Sequence, residues 1–416
     1  MSAPHERRAA VTGIGVVAPN GTSTETFWKA TREGLNVLDR VTREGCGHLP
    51  LKVAGEVRAF EPSAAVEERY LVQTDRFTHF GMAAADLALE DARLGQADIA
   101  EAPFSAGVVT AAGSGGGEFG QRELQKLWGK GSRFVGPWQS IAWFYAASTG
   151  QISIRRGLKG PCSVVAADEA GGLDALAHAA RAVHRGTDVI VAGSTEAPLA
   201  PYSMVCQLGY PELSRVEDPE RAYRPFTDQA CGFVPAEGGA MLVVEEAAAA
   251  RERGVPVRAF VAGHASTFTG ASCWERSRQG LAEAIRGALA DARCAPEEVD
   301  VVFADALGVP EADRAEALAI ADALGARGRR VPVTAPKTGT GRGYCAAPVL
   351  DAAAAVLAME HDLIPPTPNV FDVCHDLDLV THRARAAQVR TALVLSRGLM
   401  GSNSALVLRH GAAGAS

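Results

Sequence analysis

The most chemically suggestive stretch of the chain is a turn that carries Asp168 and Glu169. Residues 163–167 are small or β-branched and predict a buried strand, and apolar residues spaced three and four apart then predict a helix that Gly186 ends. A strand that leads directly into a helix exposes the residue at the turn beside free backbone N–H groups and the positive end of the helix dipole. Enzymes place nucleophiles at such turns, but a carboxylate is a poor acyl acceptor compared with a thiolate.

Two interpretations of this turn remain open from the residues alone. In the first, Asp168 caps the helix and Glu169 complements its dipole. In the second, the turn is a catalytic position that has lost its nucleophile. Gly171 and Gly172 would let another backbone or a substrate approach the turn and are compatible with both. The choice between a helix cap and a former catalytic position depends on the other motifs of the chain.

The composition describes an ordinary globular chain. It has 416 residues, of which 47% are hydrophobic and 21% are charged, enough for one large two-part core or for two domains. A net charge of −7 argues against nucleic acid or an anionic membrane as the main partner. No run approaches the roughly 18 apolar residues of a transmembrane helix. Residues 1–4 lead into charged residues rather than a signal peptide, so we expect a cytoplasmic protein.

The cysteines and histidines show no spacing that is typical of a metal site. The eight cysteines include no CxxC pair, so we expect reduced, mostly buried thiols and no bound metal. Cys345 lies on no nucleophile turn and is expected to be a packed thiol.

Around the turn, the segment VAADEAGGLD resembles the active-site turn of the thiolase-fold condensing enzymes, whose ketosynthases read V-S-T-G-C-T-S-G-L-D. In this alignment the active-site cysteine falls on Glu169. Within that group the chain most resembles the chain-length factors of type II polyketide synthases, which usually carry glutamine there. The resemblance extends from about Arg8 to Arg409 and includes the segment GFVPAEGGA at 232–240.

The resemblance also identifies the positions of two catalytic histidines. With these histidines a condensing enzyme acts on the malonyl carboxylate and the enolate oxygen. In VFADALGVPEADR the first histidine falls on Asp305, and in APKTGTGRGYCAA the second falls on Arg342, whereas the family's lysine is kept as Lys337. All three catalytic positions are therefore degenerate. We predict that Glu169, Asp305, Lys337 and Arg342 form a cluster in which two acids and two bases neutralise each other.

A third set of candidate residues lies in the glycine-rich stretch before position 131. Gly117, Gly120 and Leu124 are spaced i, i+3 and i+7 and share one face if the segment is helical. Close helix packing, or a loop that continues to Glu118, remains open, because each glycine costs a helix about 1 kcal/mol. In chain-length factors the matching residues are often bulky and close the polyketide tunnel at the dimer interface. The resemblance implies that these small residues leave a longer tunnel.

The loop GLMGSN near the C-terminus also resembles a family segment. Leu399 falls where ketosynthases carry a gating phenylalanine. A leucine there fits a subunit that need not gate acyl transfer.

The resemblance implies an α/β protein with a thiolase fold, in which duplicated βαβ-rich halves form five layers (α-β-α-β-α). The strand pattern restarts after Pro256, so we expect an N-terminal ketosynthase-like half at 1–255 and a C-terminal half at 256–416. Each half is expected to end in a hairpin, formed through 232–244 in the first and 391–408 in the second.

The implied function is that of a non-nucleophilic chain-length factor. It would pair with a catalytic ketosynthase α subunit as a heterodimer and shape the tunnel that sets polyketide length, in an aromatic pathway. No bound cofactor is implied, because the substrate arrives on the phosphopantetheine of an acyl carrier protein. Three alternatives stay open: a malonyl-carrier-protein decarboxylase that makes the acetyl primer, a polyene-type synthase subunit, and a homodimeric scaffold. Whether the chain is an enzyme by itself is left open.

Overall fold

The computed structural model describes residues 7–270 and 273–414. Ten strands of three or more residues lie in these ranges: β1 Ala9–Val17, β2 Ala106–Ala111, β3 Cys162–Val165, β4 Val189–Glu196, β5 Gly238–Glu246, β6 Ala259–Phe268, β7 Val301–Phe303, β8 Pro332–Thr334, β9 Thr391–Arg397 and β10 Ser402–His410. Two-residue strands lie at Asp39–Arg40, Val53–Ala54, Leu363–Ile364, Asp378–Leu379 and Arg385–Ala386.

The longer helices of the described residues are α1 Thr24–Glu33, α2 Arg76–Asp91, α3 Gly117–Lys130, α4 Ala147–Arg156, α5 Gly171–His184, α6 Trp274–Asp291, α7 Pro310–Leu324 and α8 Ala346–His361. Shorter helices lie at Pro62–Ala65, Glu68–Leu71, Gln96–Glu101, Gln139–Ala142, Pro201–Gln207 and Ala247–Glu252.

The two halves of the chain have the same sheet topology. The first half has the strand order β3-β2-β4-β5-β1, and the second has the order β8-β7-β9-β10-β6. Numbered within each half, both orders read 3-2-4-5-1, and in both the fifth strand is antiparallel to its two neighbours. The halves join where β1 pairs with β6, at Ala10 with Phe260 and Val11 with Ala259. The repeated order is the topology of an internal duplication.

Only one of the two expected hairpins forms. β9 and β10 pair antiparallel across the short loop 398–401, as predicted. The hairpin predicted through 232–244 is wrong, because β5 pairs with β4 across the long connection 197–237. Strand β3 forms one outer edge of the sheet, and its residues are half-buried or exposed, unlike those of β2 beside it.

Helices fill the space on both sides of each half-sheet. α2 and α4 pack on the outer face of the first half and α6 and α7 on that of the second, whereas α5 and α8 lie between the two. α8 is alanine-rich and every residue from Ala346 to Met359 is buried, as expected of a helix with protein on all sides. The result is five layers in the order α-β-α-β-α.

Within the described ranges, no helix combines the length and apolar character needed to cross a bilayer. Residues 1–4, on which the expectation about a signal peptide rests, lie outside the described residues.

The eight cysteines are all unpaired. The prediction that they are mostly buried is wrong, since only Cys46, Cys294 and Cys345 are buried and three others are exposed. The exposed cysteines are in the edge strand β3, at the end of the helix Pro201–Gln207 and in a loop, where no core covers them.

Candidate functional site

A buried network of ion pairs occupies the carboxyl ends of β3, β7 and β9. Glu169 follows β3, Asp305 follows β7, and Arg397 is the last residue of β9. Arg342 reaches the same place from the loop before α8, and its backbone is fixed by hydrogen bonds to Val234 and Ala236. Carboxyl ends of strands are where α/β proteins place their ligands and catalytic groups.

Arg342 stands between two carboxylates. Its Nη1 lies 2.9 Å from Oε1 of Glu169 and its Nη2 lies 3.0 Å from Oδ1 of Asp305. The contact with Asp305 is also a hydrogen bond, whereas Nη1 is close to Glu169 without hydrogen-bond alignment. All three side chains are at most 3% exposed, so Arg342 offsets these carboxylates without help from water, and one negative charge is left over among the three.

Arg397 extends the network beyond the residues that the sequence pointed to. Its Nε lies 3.3 Å from Oδ2 of Asp305 and its Nη2 lies 2.9 Å from Oε2 of Glu316. Both oxygens of Glu316 in turn accept the backbone N–H groups of Asp305 and Ala306. Asp305 is therefore fixed by two arginines and its own backbone.

Lys337 belongs to the network but does not pair with Glu169. Its Nζ lies 2.5 Å from Oδ2 of Asp351 in α8 and donates to the backbone oxygen of Asp305 at 3.2 Å. Of the four predicted cluster residues, the structure joins Glu169, Asp305 and Arg342 directly and brings Lys337 in through Asp305 and Asp351.

Four carboxyl groups and three cations make up this network, so one acid lacks a matching charge. Burial raises the pKa of Glu169 to about 7 against the opposing effect of Arg342, and burial raises that of Asp351 to about 6. Burial also acts on Asp305, but Arg342 and Arg397 lower its pKa to about 2. Burial also raises the pKa of Glu316. Glu169 therefore takes up a proton close to neutral pH.

The turn itself differs from a simple helix cap. Ala170 stands at the N-cap position and no side chain caps the helix, so the interpretation of Asp168 as a cap is wrong. Asp168 has a φ of 51°, and its Oδ2 accepts the backbone N–H of Met400 at 2.7 Å. Oε2 of Glu169 accepts the backbone N–H of Leu399 at 2.8 Å. The turn is therefore bonded to the loop between β9 and β10.

Glycine is required at the closest point between this turn and that loop. A Cβ on Gly398 would lie only 2.0 Å from Oδ2 of Asp168. Leu399, the counterpart of the family's gating residue, packs at the edge of a hydrophobic cluster around Tyr223 and Phe233. The loop thus lies against the turn and covers Glu169.

Cys345 is the thiol nearest to the turn. Its Sγ donates to the backbone oxygen of Asp168 at 2.9 Å, and the residue is fully buried. Burial, with smaller effects of Glu196 and Glu169, raises the pKa of this thiol well above its usual value. A thiol that stays protonated and has no access to solvent is not a nucleophile, which agrees with its interpretation as a packed residue.

The candidate tunnel residues lie on α3, which begins at Gly117 and thereby excludes a loop that continues to Glu118. A Cβ on Gly117 would meet Oγ of Ser203 at 2.2 Å, and one on Gly120 would meet Cδ1 of Trp143 at 3.2 Å. Both glycines therefore allow close packing within the chain. Within this chain Ser203 and Trp143 take the space beside the two glycines, which is the close packing that the sequence left open, and the longer tunnel at the dimer interface stays a prediction. Leu124 is 41% exposed.

Two buried acids fix the start of α3. Oδ1 of Asp75 accepts the N–H of Phe77 and its Oδ2 accepts that of Phe119 at 2.6 Å, so one carboxylate joins the starts of α2 and α3. Glu196, at the end of β4, accepts the N–H groups of Gly113 and Ser114. Burial raises the pKa of Asp75 to about 6 and that of Glu196 to about 7.

Large apolar side chains are exposed around α3. We call this set the aromatic surface; it lies within 124–145 and 202–205 and consists of Leu124, Trp128, Phe134, Trp138, Trp143, Phe144, Tyr145, Tyr202 and Val205. The segments that carry several of them contact α3. Such a concentration of exposed apolar side chains is typical of a protein interface.

Sequence reasoning missed Glu316, Asp351 and Arg397. The first two are acids on otherwise apolar, buried helix faces, between Ala315 and Ala317 in α7 and within an alanine run in α8. A lone acid in such a place needs a buried partner, and this was the available signal. Arg397 directly precedes the loop GLMGSN, but nothing in its spacing marks it.

Comparison with known proteins places the chain in a defined group. The family model described as "Beta-ketoacyl synthase, N-terminal domain" matches residues 6–250, and "Beta-ketoacyl synthase, C-terminal domain" matches residues 258–371. A Streptomyces halstedii protein with "polyketide beta-ketoacyl synthase 2" in its name is 76% identical over 99% of both chains. The "Tetracenomycin polyketide synthase ketoacyl synthase beta subunit" of Streptomyces glaucescens is 50% identical over 99% of this chain and 100% of its own.

Two solved structures are similar over almost the whole chain. One is "The ishigamide ketosynthase/chain length factor", with a TM-score of 0.85 and 27% identity over 97% of this chain and 99% of that one. The other is a chain from a complex of a type II polyketide synthase acyl-carrier protein with its ketosynthase, with a TM-score of 0.86 and 27% identity over 98% and 100%. The predicted fold, a duplicated α/β thiolase fold, is confirmed. The chain belongs to the beta-ketoacyl synthase family.

Proposed function

We propose that this chain is the non-nucleophilic subunit of a type II polyketide synthase, a chain-length factor that pairs with a catalytic ketosynthase. The single observation that supports this best is the ion-pair network. Glu169, Asp305 and Arg342 align with the cysteine and two histidines of the related condensing enzymes, and they form ion pairs in a site that water does not reach. Such a site holds no thiolate to carry an acyl chain.

The aromatic surface supports a ketosynthase as the binding partner of this chain. A ketosynthase has the same fold, and its equivalent surface would cover the exposed rings around α3, as expected of an interface between similar subunits. The names of the relatives agree, since one is a beta subunit and one solved structure is a ketosynthase with a chain-length factor. The partner supplies the cysteine and both histidines.

Leu124 is the residue of the predicted tunnel set that remains exposed on α3. Gly117 and Gly120 contribute indirectly, because they let Ser203 and Trp143 approach the helix. In this arrangement the length of the polyketide depends on side chains that α3 and its neighbours present to the partner. The growing chain is delivered on the phosphopantetheine of an acyl carrier protein, in keeping with the carrier-protein complex among the similar structures.

An independent decarboxylase activity is disfavoured by the surroundings of Glu169. One carboxylate oxygen faces Arg342 and the other accepts the N–H of Leu399, so neither is available to a malonyl group. We further propose that the halves divide at 255/256, between the helix Ala247–Glu252 and β6.

The test is co-expression with the ketosynthase encoded beside this chain, followed by measurement of particle size and of products with carrier protein and a malonyl donor. We expect a one-to-one complex and a polyketide that appears only when both chains are present. A self-dimer that releases CO₂ from malonyl carrier protein, and loses this activity in Glu169→Ala, would overturn the proposal. Substitution of the partner's cysteine gives the matched control, because it abolishes the polyketide without separating the chains.

A further inference from the structure

A cavity of about 560 Å³ opens far from the ion-pair network. Its walls come from the starts of β1 and β6, the second half of α5 and the turn after α6, so it lies at the seam between the two halves. α5 begins beside Glu169 and its 14 residues extend about 21 Å before the helix ends at His184, which lines the cavity. The cavity is therefore separate from the site described above.

Arginine dominates the lining of this cavity, which contains Arg7, Arg8, Arg181, Arg293 and Arg409. Among the described residues that line it, Asp291 is the only acid, and its Oδ2 accepts the backbone N–H of His264 at 2.9 Å. The chain as a whole carries a net charge of −7. Five arginines around one cavity are thus a local feature that the overall composition does not explain.

Some of these charges are balanced and others are not. Arg7 pairs with Asp188 at 2.7 Å and also donates to two backbone oxygens. Arg181 and Arg293 are exposed and form no ion pair within 7–270 and 273–414. Arg409 makes contacts of 3.4 Å with Glu298 and a backbone oxygen and a side-chain hydrogen bond with Cys294, and its buried Nε has no oxygen acceptor. The cavity therefore retains positive charge that its own walls do not neutralise.

The volume of the cavity and the stacked position of Arg8 suit a small ligand. The guanidinium carbon of Arg8 lies 3.7 Å from the centre of the Phe260 ring, so a flat cation is stacked against the wall. The volume is in the range of roughly 300–1,000 Å³ that is usual for small-molecule pockets. Guanidinium groups bind phosphate through two parallel hydrogen bonds, and several arginines together match a ligand that carries several negative charges better than one carboxylate or one chloride ion.

We propose that this cavity binds a small polyanion that carries two or more phosphate groups. Arg181, Arg293 and Arg409 hold the phosphates, and the stacked Arg8 forms one side of the site. An inorganic polyphosphate and a nucleotide share this chemistry. The proposal does not depend on the function proposed for the ion-pair site, since the two places share no residue.

The test is isothermal titration calorimetry on the full chain, co-purified with its partner. Inorganic tripolyphosphate and adenosine triphosphate are titrated in separate experiments at 0.15 M salt. We expect saturable binding of one ligand per chain. The double variant Arg181→Gln/Arg293→Asn should weaken it at least tenfold; asparagine is chosen because Arg293 has a φ of 48°, a conformation that asparagine tolerates. Arg330→Gln, an exposed arginine elsewhere, should leave it unchanged.

Tighter binding of adenosine triphosphate would identify a nucleotide as the ligand, and equal binding would identify the phosphate chain alone. Absence of saturable binding at millimolar ligand would overturn the proposal. An equal loss of binding in Arg330→Gln would also overturn it, because the anion would then respond to the overall charge and not to this cavity. Circular dichroism spectra of all variants establish that they are folded.

Discussion

The guanidinium of Arg342 joins Glu169 to Asp305, at 2.9 Å from the first carboxylate and 3.0 Å from the second. These two acids come from different halves of the fold, after β3 and after β7. One cation therefore links the two halves of the fold. We propose that the three residues that replace the catalytic groups also stabilise the contact between the two halves.

The first prediction concerns the stability that Arg342 provides. Arg342→Met should lower the free energy of unfolding by about 3–5 kcal/mol, because it leaves the carboxylate of Glu169 buried without its cation and that of Asp305 with only one. Urea denaturation followed by circular dichroism measures the change. Arg330→Met, on the surface, is the control and should change it by less than about 0.5 kcal/mol. A loss below 1 kcal/mol in Arg342→Met would mean that the network contributes no net stability.

The second prediction is a coupling between Lys337 and Asp351. Asp351→Leu alone should cost about 3–5 kcal/mol, since it leaves a buried lysine unpaired, and Lys337→Met alone should cost a similar amount. The double variant should be more stable than the sum of the two losses implies, by at least 1 kcal/mol. Additive losses in this double-mutant cycle would show that the 2.5 Å contact does not act as an ion pair.

The third prediction concerns pH and Glu196. Because burial raises its pKa from 4.5 to about 7, the folded protein binds a proton that the unfolded chain has already released. The contribution of Glu196 to the free energy of unfolding should therefore fall by about 3 kcal/mol as pH rises from 4.5 to 7. Above pH 7 this contribution should stay constant. Glu196→Gln cannot ionise and should lack this part of the slope. Thermal melts of both proteins across this range measure the difference, and parallel curves would contradict the assignment.

The fourth prediction distinguishes a direct effect of Leu124 on polyketide length from an indirect effect of Gly120. Leu124→Phe should shorten the polyketide and Leu124→Ala should lengthen it, because Leu124 is exposed on α3. Gly120→Phe should act by displacing Trp143, so the added substitution Trp143→Ala should reverse its effect. Mass spectrometry of the products of the complex gives the chain lengths. Unchanged polyketide lengths in both Leu124 variants would show that Leu124 does not line the tunnel.

The fifth prediction tests the aromatic surface as an interface. Trp128 is 83% exposed, and Trp128→Glu should dissociate the complex with the ketosynthase, because a charge would be buried in an apolar contact. Phe371→Glu changes an equally apolar residue that is 55% exposed outside this surface and should leave the complex intact. Size-exclusion chromatography distinguishes the two. Retention of the complex in Trp128→Glu would place the partner elsewhere.

The sequence was sufficient for the fold and for three members of the network, because motif positions around Glu169, Asp305 and Arg342 align with a known family. It was insufficient for Arg397, Glu316 and Asp351, since a contact between distant residues leaves no local periodicity. It also left the role of Gly117 and Gly120 open. A glycine in a sequence does not reveal whether its missing side chain leaves a void or admits a neighbour, and here Ser203 and Trp143 take the space.

Strand β3 has a further consequence for the cell. Its outer side carries backbone N–H and C=O groups that no other strand of the described residues pairs, and it stands at the end of the sheet. An open strand edge can pair with other chains and start aggregation. We expect the ketosynthase to cover this edge in the complex, so a copy made in excess of its partner would be the vulnerable species. Balanced synthesis of the two subunits protects this chain as much as it sets the composition of the complex.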